Sequence, residues 1–160
     1  MKNLLGLGIV AVVLFTAAFA CNYSTANLSS LKTSATKDGP ETTTYKAGET
    51  IYANAAVSNN GGKVSVKMFI TVEEAPGMKK GDVIPNSETS INLDGEGTAK
   101  YNYPTYATTK GGKFNVVAEM YNDSGEKKDS KTVAITVAPG SAPAAPADSK
   151  KADAEADDDK

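Results

Sequence analysis

The chain has 160 residues and a formal net charge of -2, with 17 Lys against 19 acids and no Arg, His or Trp. That length leaves room for one domain of about 110 residues with appendages. Without histidine there is no Ser-His or Cys-His pair, no imidazole acid or base near neutral pH and no ordinary zinc or copper site, and without arginine the bidentate phosphate clamp is missing. No catalytic group, cofactor or metal is expected.

Met1 to Ala20 carries Lys2, an unbroken apolar run from Leu4 to Phe15 and then Thr16-Ala17-Ala18-Phe19-Ala20. A charged start, an apolar middle and a small-residue exit describe a secretory signal peptide, so residues 1–20 stand outside the fold. At 17 residues, Leu4 to Ala20 reaches the short limit for a membrane span, and an uncleaved anchor is the other reading. The only cysteine, Cys21, follows Ala18-Phe19-Ala20 directly and falls where a mature chain would begin. This stretch resembles the lipobox of bacterial lipoproteins: Ala20 and Cys21 fit it, Ala18 is tolerated, and Phe19 is bulkier than the usual Ala or Ser. That departure leaves ordinary cleavage at the Ala-x-Ala site open. The resemblance implies cleavage between Ala20 and Cys21, with a thioether-linked diacylglycerol and a palmitate-like acyl group on Cys21. Two or three chains hold a protein stably at a bilayer where one does not. Asn22 after the cysteine implies the outer membrane, on its periplasmic or outer face, over the inner one.

Asn22 to Ser30 is polar and reads as a tether, so 21–30 is lipidated cysteine plus spacer, with a reach of about 30 Å at roughly 3.3 Å per residue. Leu31, Thr33 and Ala35 alternate as a weak first strand, and Lys37-Asp38-Gly39-Pro40 turns the chain. Ile51, Ala53, Ala55 and Val57 form a second strand. Val64-Ser-Val-Lys-Met-Phe-Ile-Thr-Val72 is the clearest, with Val64, Val66, Met68, Ile70 and Val72 on one face at period two. Burying them gives roughly 10 kcal/mol at about 1.5 to 3 kcal/mol each, and ordering nine backbones costs about as much. A second sheet must therefore close over this one. Pro76, Gly77 and Gly81 interrupt the long connection that follows, and Val83-Ile84 reads as a short edge strand ended by Pro85. Thr89, Ile91 and Leu93, then Ala99, Tyr101 and Tyr103, then Phe114, Val116, Ala118 and Met120, and finally Val133, Ile135 and Val137 alternate in turn.

Seven or eight strands with no helical stretch between them predict an all-β antiparallel sandwich over residues 31–138. Ala47-Gly48-Glu49-Thr50, Val57-Ser58-Asn59-Asn60-Gly61 and Gly112-Lys113-Phe114-Asn115-Val116 resemble the immunoglobulin-like superfamily, and within it the bacterial cell-adhesion-related (CARDB) and polycystic-kidney-type (PKD-like) repeats. The likeness covers about Leu31 to Val137 and implies a binding, adhesion or structural module. The antibody-type disulfide and its tryptophan are missing, so stability rests on packing.

From Pro139 to Lys160 the composition turns to Ala, Pro, Ser, Asp and Lys, which has too little to bury to offset its ordering entropy and reads as disordered. Between Cys21 and Ala138, 13 Lys balance 13 acids, which gives no electrostatic footprint for nucleic acid.

If the strands run up and down between two poles, connections 37–49, 73–87 and 104–112 share the pole remote from Cys21. Loops on a rigid sandwich are where binding sits, so Met78, Lys79, Lys80, Tyr103, Tyr106 and Lys110 form a candidate contact surface for an envelope protein or glycan. Tyr101 and Tyr103 read first as core or corner tyrosines, and Lys79 and Lys80 as a solvated loop tip. Asp94 with Glu96, and Asp123 with Glu126 and Asp129, read as turn chemistry, since calcium needs six to eight oxygens; Met68 and Met120 read as packing. Glu73 and Glu74, as strand neighbours, should face opposite sides and not converge. The function expected is a non-catalytic envelope lipoprotein, and the alternative is an accessory or inhibitor subunit of a secreted or periplasmic enzyme using Gly77-Met78-Lys79 as a wedge.

Overall fold

The computed structural model describes residues 25–106 and 109–140. The expectations for the signal peptide, Cys21 and the segment after Gly140 lie outside these residues. The described chain forms eight strands: β1 (Asn27–Ser34), β2 (Thr44–Tyr45), β3 (Thr50–Ser58), β4 (Lys63–Glu74), β5 (Thr89–Asp94), β6 (Gly97–Pro104), β7 (Gly112–Asn122) and β8 (Lys127–Val137). They make an immunoglobulin-like β-sandwich, one sheet in the order β1-β3-β6 and the other β2-β8-β7-β4-β5.

The alternation in β4 sets the core. Val64, Val66, Met68, Ile70 and Val72 are all buried, while Ser65, Lys67, Phe69 and Thr71 stay half-exposed on the other face. Opposite them in register lie Met120, Ala118, Val116 and Phe114 of β7, pairing with Val66, Met68, Ile70 and Val72. Ile51, Ala53, Ala55 and Val57 of β3 face this layer from the other sheet, with Ala99 and Tyr101 of β6. The small alanines of β3 and the large Met68 and Met120 of the other sheet belong to one buried cluster, in which bulk on one side makes up for its lack on the other.

Three expectations need correction. The first strand starts at Asn27, not Leu31, and Leu28 is fully buried. A bulge between Leu28 and Ser30 shifts the register against β3, so that Leu28 pairs with Val57 and Leu31 with Ala55 and both leucines, three residues apart, take the inward face; simple alternation is blind to such a shift. The sandwich is not wholly antiparallel either: β2, within the connection read as a loop, pairs parallel with Thr136 and Val137 of β8. It brings Tyr45 into the core at 1% exposure. Val83-Ile84 makes no strand but one bridge, Thr71 with Val83. β5 begins only opposite Met68, and residues 81–84 take up the edge of β4 beyond it through Val72 N–H to the Asp82 carbonyl at 2.9 Å and Ile84 N–H to the Ile70 carbonyl at 2.8 Å.

The poles follow from the registers. Asn27 lies beside Ser58, and Val57 beside Gly97, while Val64 lies beside Asn122; this is the pole where β1 begins. Thr50 lies beside Pro104, and Gly112 beside Val137; this is where β8 ends. The chain therefore enters at one pole and leaves at the other.

Candidate functional site

At the exit pole the long connections gather over the ends of the two sheets. The connection from β4 to β5 is built from three successive tight turns, closed by Met78 N–H to the Ala75 carbonyl at 3.2 Å, Asp82 N–H to the Lys79 carbonyl at 3.1 Å and Ser87 N–H to the Ile84 carbonyl at 3.2 Å. Gly77, Gly81 and Asn86 supply the positive φ these turns use. On the other side Thr109 N–H closes a turn onto the Tyr106 carbonyl at 2.9 Å, and Gly140 N–H bonds the Thr109 carbonyl at 2.8 Å.

Between these walls opens a cleft of about 530 Å³. Beneath it lie Ile51 of β3, Ile70 of β4, Phe114 of β7 and Val137 of β8, hydrocarbon side chains of the core from both sheets, each 7% exposed or less. Met78, Ile84, Tyr103 and Tyr106 form its sides, and Lys110 lies at its lip. Met78 is 52% and Tyr106 69% exposed, the two most exposed large apolar side chains among the described residues.

Of the six candidate contact residues, Met78, Tyr103, Tyr106 and Lys110 line this cleft together, whereas Lys79 and Lys80 do not. Lys80 turns back to pair with Glu73, and the Lys79 amide bonds the Asp82 carboxylate at 3.2 Å. The Tyr103 hydroxyl donates to the Pro85 carbonyl at 3.4 Å, and burial pushes its phenol pKa up, helped by Tyr106. Tyr101 is a core tyrosine at 4% exposure. The four residues beneath the cleft continue the inward phase of their strands, so alternation alone could not tell them from the rest of the core; Ser87, whose role is structural, carried no signal at all.

Glu73 and Glu74 do not face opposite sides. A bulge between Val72 and Glu74 adds a residue against β7, and both carboxylates reach β7 residues two apart: Glu74 bonds Lys113 at 2.8 Å and Glu73 accepts from Asn115 at 3.2 Å. Lys80 and Asn115 hold the Glu73 carboxyl below its ordinary range, and Lys113 does the same for Glu74. Two acids with matched cations stay ionised, which unfits either for donating a proton. The acidic turns are similarly occupied: Glu96 accepts the Asn59 amide at 2.7 Å, Asp129 the Leu28 amide at 2.8 Å, and Glu126 pairs with Lys128 at 2.6 Å. Among the described residues no group of three or more potential metal ligands comes together.

No family model and no curated protein matches the sequence. Among solved structures the chain is similar to a Niemann-Pick type C2 protein from Japanese carpenter ant, with 13% identity and a TM-score of 0.44, over 73% of this chain and 96% of that one.

A second concavity of about 650 Å³ lies over the outer face of β4, β5 and β7. It holds Lys63 and Lys67 with Asp94 and Asp123, charges of both signs on a solvated strand face. The exit-pole cleft differs in kind, since hydrocarbon side chains lie beneath it and its lining has no acid.

Proposed function

We propose that this protein is a lipid-anchored, non-catalytic module of a bacterial cell envelope, held at a membrane through Cys21 and meeting an envelope partner with its opposite pole. The observation that supports this reading is the separation of the two ends. β1 begins at the pole of Ser58 and Gly97, and the cleft opens at the pole of Val137. An anchor just before β1 leaves the cleft facing away from the bilayer, where a partner can reach it. Non-catalytic action fits a chain without histidine whose neighbouring acids Glu73 and Glu74 are both neutralised by lysines.

Metabolic labelling with an alkyne fatty acid tests the anchor. Wild type takes the label and partitions with membranes, and Cys21→Ser does neither; equal labelling of the two removes the anchor. A pull-down from detergent-solubilised envelope tests the module. A single stoichiometric enzyme partner would instead favour an accessory or inhibitor subunit, with exposed Met78 as its wedge.

A further inference from the structure

We propose that residues 141–160 fold back over the mouth of the exit-pole cleft, with Pro143 and Pro146 seated on Met78 and Tyr106 and the acids that follow held by Lys79 and Lys110. In the free protein the tail then covers the same pole that the envelope partner is read to meet. The proposal needs neither that partner nor the anchor at Cys21.

Three observations carry it. The first is a surface that the described residues leave uncovered. Met78, Val83 and Tyr106 are the exposed large apolar side chains among them, at 52%, 47% and 69%, and all three lie on connections of this one pole. A cluster of that kind marks an interaction surface. Because these side chains stand outside the core, an occupant lies across them and needs no room between the sheets.

The second is where the chain leaves the sandwich. Ala138 N–H bonds the Tyr45 carbonyl at 2.8 Å, and Gly140 N–H bonds the carbonyl of Thr109, which lines the cleft beside Lys110, at 2.8 Å. Residue 141 therefore starts at the rim. The seven residues from Ser141 to Ala147 span about 20 Å as a polyproline helix at roughly 3.1 Å each, which exceeds the width of a cleft of about 530 Å³. A segment tethered this closely acts at a local concentration in the millimolar range, so contacts too weak to hold a free peptide suffice.

The third is chemical match. Pro143-Ala-Ala-Pro146 sets two prolines three residues apart, one turn of a polyproline helix, so both face the same side. Such segments dock on aromatic-lined grooves, and Tyr103 and Tyr106 line this one. Beyond Pro146 the tail carries six acids against three lysines. Lys79 and Lys110, one on each wall, have no ion pair among the described residues, whereas Lys80 and Lys113 on the same pole are matched by acids. The unpaired cations and the acidic tail are thus brought to one place by the connectivity of the chain.

The test uses residues 22–160, which retain every buried core residue from Leu28 to Val137 and contain no cysteine. Ser149→Cys then gives a single site for a nitroxide label. In the amide spectrum the label broadens Met78 and Lys79, across the cleft from where the tail departs, and leaves Asn60, Gly95 and Gly125 at the opposite pole sharp. Adding Pro143→Gly with Pro146→Gly, or Lys79→Glu with Lys110→Glu, reduces the broadening at Met78 about threefold or more. All four sites are in the tail or exposed connections, so circular dichroism stays as in the parent. Broadening confined to Thr109 and Gly111 overturns the fold-back. Equal broadening in the proline variant overturns the seating, and equal broadening in the lysine variant overturns the role of charge. If a labelled chain broadens Met78 of an unlabelled one as strongly as its own, the occupant is the tail of a second copy and the fold-back fails. No envelope partner and no Cys21 enter this measurement, so its failure leaves the labelling and pull-down tests standing.

Discussion

The Tyr101 hydroxyl donates to the Ser87 carbonyl at 2.8 Å, so β6 of one sheet is tied to the connection that leaves β4 of the other. Ser87 is itself 1% exposed. Its Oγ accepts the Ile70 amide at 3.1 Å and donates to the Ile84 carbonyl at 2.8 Å. One serine thus satisfies the β4 edge beyond the reach of β5, shapes the last turn before β5 and receives a tyrosine from across the core.

Ser87→Ala removes the acceptor for a buried Ile70 N–H, and the penalty for a stranded buried donor is about 1 to 3 kcal/mol. Tyr101→Phe strands only the Ser87 carbonyl and should cost less, about 1 kcal/mol. Urea unfolding followed by circular dichroism measures both. Equal stability of Ser87→Ala and wild type would show that water replaces the hydroxyl.

Alkaline stability follows from the same tyrosine. Burial, with a smaller contribution from Tyr103, raises the Tyr101 phenol pKa, and burial raises that of Tyr45 as well. In the unfolded chain these phenols ionise near pH 10, as ordinary tyrosines do. Above about pH 10 the unfolded state releases protons that the native state keeps, so stability is full below that pH and falls as it rises further. Urea midpoints between about pH 8 and about pH 11 should decline only in the upper part of that window. Tyr101→Phe should decline less steeply, and an identical slope would mean that Tyr101 ionises in place.

Much of this fold was legible because β3, β4 and β7 alternate without interruption, as Ile51 to Val57, Val64 to Val72 and Phe114 to Met120 do. The illegible parts are those where local pattern and tertiary position diverge. The bulges at Leu28/Ser30 and Val72/Glu74 each break the period-two rule for one step, which moved a strand start and put Glu73 and Glu74 together. β2 has two residues, too few for any period, and exists because Tyr45 finds a place beside β8. The site followed the same division. Met78, Tyr103, Tyr106 and Lys110 could be grouped from topology, but Ile70 and Phe114 look identical in sequence whether a sheet covers them or a cleft opens above them.

Gly111 and Gly125 both have positive φ, at 77° and 79°, and alanine should separate conformational strain from collision. A Cβ on Gly125 would meet nothing within 4 Å, so Gly125→Ala should cost only the left-handed penalty of about 1 to 2 kcal/mol. On Gly111 it would lie 2.6 Å from the Pro139 nitrogen and 2.9 Å from the Val137 carbonyl oxygen. Those are backbone atoms that cannot turn aside, and the clash adds about 1 to 3 kcal/mol. Thermal unfolding should rank wild type above Gly125→Ala and Gly125→Ala well above Gly111→Ala; the reverse order of the two variants would mean that the segment after Val137 yields easily.

The start of β1 yields the last prediction, because pattern and structure disagree there about which leucine belongs to the core. Alternation through Leu31, Thr33 and Ala35 makes Leu31 the buried one, whereas Leu28 is 1% exposed and Leu31 only half-buried. The Leu28 amide also bonds the Asp129 carboxylate at 2.8 Å, which fastens β1 to β8 across the open edge between the sheets. Leu28→Ala would leave a cavity among residues drawn from both sheets and should cost about 2 to 5 kcal/mol, and Leu31→Ala clearly less. Asp129→Asn keeps an acceptor for the Leu28 amide but loses its charge, so it should fall below Leu28→Ala in cost, near 1 kcal/mol. Chemical denaturation of the three variants decides the matter. If Leu31→Ala proves the most damaging, the strand begins where simple alternation puts it and the bulge does not form in solution.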